Sequence, residues 1–223
     1  MSLAVLISGG LDSAILLGDV LRRGETVQPL FIRCRLAWED VELAYLWRYL
    51  DALHAATYIA GSLKPLVILE QPVADLYGQH WSVTGRGVPN ADTPDEAVFL
   101  PGRNVLLLSK AMLWCHLHGV PAVALGSLQT NPFPDATPAF FQGMRDVVNR
   151  AVDGDVQVLL PLGGMTKIAV MRLGAGLPLE HTFSYIQPAG GLHCGRCNKC
   201  AERRQAFRAA EMVDPTVYAP PAT

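Results

Sequence analysis

The sequence predicts an α/β domain built on a doubly wound parallel sheet, followed by a small C-terminal metal-binding segment. Three observations predict it. Short apolar runs alternate with amphipathic stretches as far as Leu160, the pattern of repeated βα units. The first run stops at Ser8-Gly9-Gly10-Leu11-Asp12-Ser13, where a strand pattern gives way to a helix pattern. Near the other end, Cys194, Cys197 and Cys200 fall within seven positions. A chain of 223 residues holds one large domain or one domain with an appendage. The expected division is 1–178 for the α/β domain and 179–223 for the cysteine segment.

Leu3 to Ile7 reads as a buried strand, and Asp12 to about Arg23 as a helix that Gly24 closes. Val27 to Ile32 follows as a second strand, which makes a right-handed βαβ unit. Between Asp40 and Ala56 the residues Val41, Leu43, Ala44, Leu46, Trp47 and Leu50 have helical spacing, and Leu66 to Leu69 reads as a strand. Asn104 to His118 is an apolar helix, and Val123 to Leu125 is a strand ending at Gly126-Ser127. Pro138 to Val152 is a further helix before Val158-Leu159-Leu160. The stretch from Gln71 to Pro101 is rich in Gly, Pro, Asp and Thr, and reads either as a surface insertion or as a lid over substrate.

Composition narrows the function. Half of the residues are apolar (50%), yet no run approaches the roughly 20 needed to cross a bilayer. Met1-Ser2 leads straight into the first strand without a basic region, unlike a signal peptide, so a cytoplasmic protein is expected. A net charge of -2 with scattered basic residues argues against nucleic acid as a partner. Five cysteines, an odd number with three clustered, suit a metal site in a reducing compartment. Cys34 and Cys115 stand apart in apolar surroundings and read as packed core thiols.

A loop between a parallel strand and a helix offers backbone N–H groups and the positive end of the helix dipole to an anion. Gly9 and Gly10 let the backbone approach a phosphate, Ser8 and Ser13 supply hydroxyl donors, and Asp12 suits Mg²⁺ or a helix cap. Neither G-x-x-x-x-G-K-[ST] nor G-x-G-x-x-G is present. The string resembles the S-G-G-x-D-S signature of the PP-loop ATP pyrophosphatases, whose fold is adenine nucleotide alpha hydrolase-like. That resemblance implies ATP cleavage to AMP and pyrophosphate.

Cys194, Cys197 and Cys200, spaced C-x2-C-x2-C, can aim three thiolates at one point from a turn entering a helix. The set suits tetrahedral Zn²⁺, with an iron–sulfur cluster as the other reading. The expected fourth ligand is His181, from the preceding segment, with His193, which abuts Cys194, in reserve.

From Leu3 almost to Pro215 the chain is similar to the 7-cyano-7-deazaguanine synthases (QueC) of the queuosine pathway. The likeness rests on Leu100-Pro101-Gly102-Arg103-Asn104, Gly126-Ser127, Phe133-Pro134-Asp135, Pro161-Leu162, Thr166-Lys167 and the run from His193 to Arg203, with Phe207, Asp214 and Pro215. It implies that a 7-carboxy-7-deazaguanine carboxylate attacks ATP, pyrophosphate leaves, and ammonia displaces AMP to give an amide, which a second activation turns into a nitrile. ATP, Mg²⁺ and Zn²⁺ are then the cofactors, a deazapurine and ammonia the small-molecule partners, and a homodimer the implied assembly. Asp12, Lys167 and Arg103 become candidates for neutralising the departing pyrophosphate. Phe133 and Asp135 become candidates for holding the deazapurine, with Asp135 on its guanidine-like edge. The family's T-W-S-C-Y is here Thr182-Phe183-Ser184-Tyr185, without the cysteine, and its F-D-Y-G-Q-R-H is replaced by Phe31-Ile32-Arg33-Cys34-Arg35-Leu36. Its G-Y-P-D-C-R becomes Pro132-Phe133-Pro134-Asp135-Ala136-Thr137. Two further functions fit the loop: sulfur transfer with an iron–sulfur cluster, and nucleotide or deazapurine binding without turnover.

Overall fold

The five strands expected from sequence all form, each within one residue of its expected ends, in the computed structural model. It describes residues 2–184, 186–187 and 190–220, except for the side chain of Asp95. They are β1 (Ser2–Leu6), β2 (Thr26–Arg33), β4 (Val67–Glu70), β5 (Ala122–Ala124) and β6 (Gln157–Leu159). A short further strand, β3 (Ser62–Leu63), pairs with Thr26 and Val27 in line with β4, which pairs with Leu30 to Arg33. Pro65 stands between the two pieces; it has no N–H to give to a ladder, so one strand becomes two.

All pairings are parallel, in the order β3-β2-β1-β5-β6 with β4 also on β2. The chain winds outward from β1 through β2 to β3 and β4, then returns to the other side of β1 for β5 and β6. The reversal lies between β1 and β5. In an open α/β sheet the crevice beyond the carboxyl ends of two such strands is where ligands bind.

Alternate residues of the central strands feed opposite faces. Ala4, Leu6, Leu30 and Ile32 pack with Leu108 and Met112 of α5 (Arg103–Leu117) and Phe141 of α6 (Pro138–Val152). Val5, Ile7 and Phe31 pack with Ile15 and Leu16 of α1 (Leu11–Arg22), Leu46 of α2 (Glu39–Ala55) and Val170 of α7 (Lys167–Leu173). Fully burying one such side chain contributes about 1.5–3 kcal/mol, so these two layers hold the sheet. Thr137 and Thr166 cap α6 and α7 by accepting from Phe140 N and Ala169 N, both at 3.2 Å. No helix among the described residues is long and apolar enough to cross a membrane.

Helix α2 is rotated from its expected setting. Ala44 and Trp47 face solvent, and the buried stripe is Glu42, Tyr45, Leu46, Tyr49, Leu50 and Leu53. The reason is local: this stripe backs the loop after β1, where a Cβ on Gly9 would touch Glu42 and Leu46, and the Tyr49 hydroxyl donates to Ala14 O at 2.6 Å.

The stretch 71–101 holds two one-turn helices, α3 (Ala74–Tyr77) and α4 (Trp81–Thr84), and a 3-10 turn at Asp95–Val98. It is fastened to the cysteine segment. Ala91 N donates to Arg196 O at 3.1 Å, Asn198 N to Pro89 O at 3.3 Å and Asn198 Nδ2 to Thr93 O at 2.8 Å. Helix α8 (Asn198–Ala209) follows the cysteines. Residues beyond 178 enter both apolar layers, Phe183 and the three cysteines in one, Phe207 in the other.

Candidate active site

Beyond the ends of β1 and β5 lies an open cleft of about 350 Å³ lined by Ser8, Gly10, Asp12, Ser13, Gly126, Ser127 and Lys167, among others. Gly9 takes a positive φ of 75°, which an L side chain rarely adopts. Ser13 ties the loop: its Oγ accepts from Ser8 N at 3.2 Å and donates to Gly10 O at 3.2 Å. Phe183 N donates to Gly9 O at 2.8 Å, fixing the loop from the C-terminal segment. On the β5 side, a Cβ on Gly126 would lie 3.0 Å from the Asp12 carbonyl carbon and from Ser13 N, so the two strand ends meet closely only because residue 126 is glycine. Ser127 Oγ is buried in this crevice without a partner. The start of α1 therefore presents a backbone curve, hydroxyls and a helix N-terminus to one place, the equipment for an anion such as a triphosphate.

Lys167, the first residue of α7, reaches across to Asp12, with Nζ at 2.8 and 3.0 Å from the two carboxylate oxygens. Two charges follow that sequence reasoning did not single out. Glu202 lies 3.8 Å from Lys167, and Lys199 lies 2.6 Å from Glu202. Burial pushes the Glu202 carboxyl up, but Lys199 and Lys167 outweigh it and hold the group below the usual carboxylate range. Lys199 sits between two of the cysteines, so whatever folds the cysteine turn also delivers this pair to the cleft.

The cleft's other charges form a separate group. Arg103 acts electrostatically on Glu39, Glu42 and Cys34, and makes no ion pair with Asp12. Glu39 accepts from Cys34 N at 2.9 Å and Arg35 N at 2.6 Å, holding the turn after β2. Its carboxyl is raised by burial, against which the two N–H bonds work. Glu42 is raised further, to about 8, by burial, with Arg103 opposing and Glu39 adding to the shift. Arg33 pairs outward with Asp40, and Arg35 with Glu70 at 2.9 Å.

Phe133 and Asp135 do not line the cleft. Phe133 stacks on Phe99 with ring centroids 5.0 Å apart. Asp135 is buried and accepts from Asn104 N at 3.0 Å, while Asn104 Nδ2 donates to Asp135 O at 2.8 Å. It thus satisfies an orphan donor at the start of α5. Here Asp135 ties the 3-10 turn Pro134–Ala136 to that helix.

The Sγ atoms of Cys194, Cys197 and Cys200 lie within 4.8 Å of one another, all buried. Cys194 and Cys200 are 3.8 Å apart, and two thiolates bound at about 2.3 Å around a tetrahedral ion are separated by about 3.8 Å. Hydrogen bonding from Cys200 lowers the Cys197 thiol to about 5 against its burial, with help from the backbone at Ile186. These donors fit a zinc ion. His181 is not gathered with them. It ends the 3-10 turn Leu179–His181 with its Nε2 4.0 Å from Glu180, and Thr182 to Ser184, bound to the phosphate loop and to Arg203, separate it from Ile186. His193 lies buried among Tyr45, Phe183 and Tyr218, receives Ser184 N at 3.3 Å, and is lowered by burial to about 3. It is outside the sulfur group too. Tyr185, where the family resemblance places a cysteine, lies outside the described residues.

Known proteins resemble this chain along most of its length. The 7-cyano-7-deazaguanine synthase of Solidesulfovibrio magneticus is 31% identical over 234 residues, covering 97% of this chain and 95% of that protein. Its counterpart in Anaeromyxobacter dehalogenans is 30% identical, with 96% and 94% covered. Among solved structures, a 4-thiouridine synthetase bound to RNA and ATP superposes with a TM-score of 0.53 at 14% identity, over 94% of this chain and 50% of that one; this likeness concerns the fold alone. The family described as "Queuosine biosynthesis protein QueC" matches residues 2–211, and on that match the chain belongs to the QueC family.

Proposed function

We propose that the chain is an ATP-dependent carbon–nitrogen ligase acting on the carboxylate of 7-carboxy-7-deazaguanine or a close relative. The observation that carries the reading is the Asp12–Lys167 pair, closed at 2.8 Å over the phosphate loop at the switch point. A carboxylate oxygen of the acceptor attacks the α-phosphorus of ATP, and the bond to the bridging oxygen breaks as pyrophosphate leaves. Ammonia then adds to the acyl carbon, one N–H proton passes to solvent, and AMP departs with the attacking oxygen, leaving the amide. In a second activation the amide oxygen attacks the α-phosphorus of another ATP, pyrophosphate leaves, and AMP then departs with that oxygen as both N–H protons pass to solvent, leaving the nitrile.

The residues of this chain bind and orient. Backbone N–H groups at Gly9 and Gly10 and the Ser8 hydroxyl hold the phosphates, and Ser13, whose proton goes to Gly10 O, turns to the phosphates on binding. Asp12 holds Mg²⁺, which when bound supplies charge neutralisation to the triphosphate. Freed from Asp12, Lys167 reaches the departing pyrophosphate, whose charge grows in the transition state. Cys194, Cys197 and Cys200 hold Zn²⁺ as a structural ion, keeping Lys199 and Glu202 at the cleft. A sulfur-transfer reading has no observation of its own here, and the intact Asp12–Lys167 pair favours turnover over binding alone.

Pyrophosphate release tests the assignment. With ATP and Mg²⁺ it is expected to depend on a 7-deazapurine 7-carboxylate, and release at the same rate without any acceptor contradicts the reading. Chromatography with light scattering at several concentrations tests the implied homodimer, for which a dimer mass is expected.

A further inference from the structure

Glu42 lies on the buried stripe of α2 and lines the cleft, yet no hydrogen bond or ion pair joins it to another described residue. Across the same cleft, Arg103 Nε is buried without a hydrogen-bond partner. The two feel each other electrostatically but do not pair. Buried polar groups are costly to leave unmet, so two complementary ones facing one cavity call for a ligand with donors for the carboxyl and an acceptor for the guanidinium. Trp38 lines the cleft beside them and is held in place by stacking on Trp81, ring centroids 5.7 Å apart. A flat heterocycle suits such a wall. One edge that carries this pattern is a ring N–H flanked by an exocyclic amino group and a ring carbonyl, as in guanine-type bases.

We infer that Glu42 and Arg103 form the subsite that reads this edge of the acceptor. Glu42 accepts from the ring N–H and the exocyclic amino group, and Arg103 Nε–H donates to the ring carbonyl oxygen. This rests on the proposed acceptor class and gives its recognition to α2 and α5, with Asp135 serving as a structural group at the start of α5.

The test is a two-by-two comparison of binding on the metal-loaded protein with a non-hydrolysable ATP analogue. The ligands are 7-carboxy-7-deazaguanine and the same heterocycle without its 2-amino group; the proteins are wild type and Glu42→Gln. Wild type is expected to prefer the amino form by about tenfold to a hundredfold, the range for one paired edge contact. The variant removes a buried acid of the same shape and is expected to fold. Its preference should fall to within about threefold, the added carboxamide N–H opposing a donor, while its affinity for the ATP analogue stays the same. An unchanged preference in the variant, or a loss confined to ATP affinity, overturns the subsite while leaving the acceptor class standing. A wild-type protein that binds neither heterocycle overturns the acceptor class and the subsite together.

Discussion

The two charge groups of the cleft are built on opposite plans. At the phosphate end Asp12, Lys167, Glu202 and Lys199 form a closed chain in which each charge has a partner. At the α2–α5 end the buried Glu42 and the half-buried Arg103, whose Nε is enclosed without a partner, line the same cavity and do not pair with each other. The first plan stores cations beside the loop in a form that a triphosphate and its metal can take over, exchanging one set of ion pairs for another. The second leaves polar groups open, so that only a ligand with the matching pattern relieves them. On the proposed reading, a general energy source is bound through exchangeable charges and a specific acceptor through unmet hydrogen bonds.

The largest effect that separates the two ends comes from the cysteines. Cys200→Ser is expected to release the metal, because ion binding and local folding share one free energy. With it should go several kcal/mol of stability, a fall in Tm on the order of 10 °C, and protection of residues 89–93, which hang on the cysteine turn by backbone bonds. Metal content, a melting curve and limited proteolysis read all three; a variant that binds no metal yet keeps the wild-type Tm breaks this part of the account.

Next in size is Lys167→Ala. Loss of a transition-state charge contact should lower kcat by about a hundredfold to a thousandfold, with ATP affinity changed far less because the contact acts on the chemical step. Equal losses in rate and ATP binding would make Lys167 a ground-state ligand.

The pH dependence separates the ends in one experiment. Burial raises the Glu42 carboxyl to about 8 from 4.5, against Arg103 and with Glu39, while the neighbouring Cys34 thiol is raised by burial to about 11. Only the ionised carboxyl accepts two N–H groups, so below pH 8 the acceptor must displace a proton to bind. Acceptor affinity should therefore rise by up to about tenfold per unit from pH 6 to 8 and level off above. Glu42→Gln should abolish that slope. In the ligand-free protein the sign reverses for stability: Glu42 favours the folded state at low pH, a contribution lost as pH rises from 4.5 through about 8.

Smallest is Asp135→Ala. Losing the acceptor for Asn104 N should destabilise the start of α5 by about 1 kcal/mol, lowering Tm by about 2–4 °C without changing acceptor affinity. A large drop in that affinity at unchanged Tm would return Asp135 to the binding site.

Both ends differ equally in how far the sequence discloses them. The phosphate loop is a contiguous string between a strand and a helix, so strand, loop and helix are legible together and the proposed site is local to them; Lys167, distant in sequence, needed the family resemblance. Lys199 and Glu202 were missed because the cysteines drew the reading of that stretch, although a lysine between two metal ligands must point wherever the turn points. Glu42 had a signal that went unused. With Tyr45, Leu46, Tyr49, Leu50 and Leu53 it completes a helical stripe, and an acid on such a stripe is buried. Asp135 is open for the opposite reason: a polar residue in a Pro-rich turn satisfies a neighbouring helix, as it does Asn104 N here, as readily as a ligand, and sequence does not say which. For His181, adjacency along the chain stood in for adjacency in space, but Thr182 to Ser184 are occupied by Arg203 and the phosphate loop.

The most direct test of the ligase account follows the oxygen. With the acceptor carboxylate labelled with oxygen-18, activation at the α-phosphorus must move one labelled oxygen into AMP when ammonia displaces it. Mass analysis of the nucleotide product is expected to show AMP carrying one label per molecule, one such AMP for each amide formed and a second for each amide converted to nitrile. Unlabelled AMP, or ADP in its place, would contradict the account.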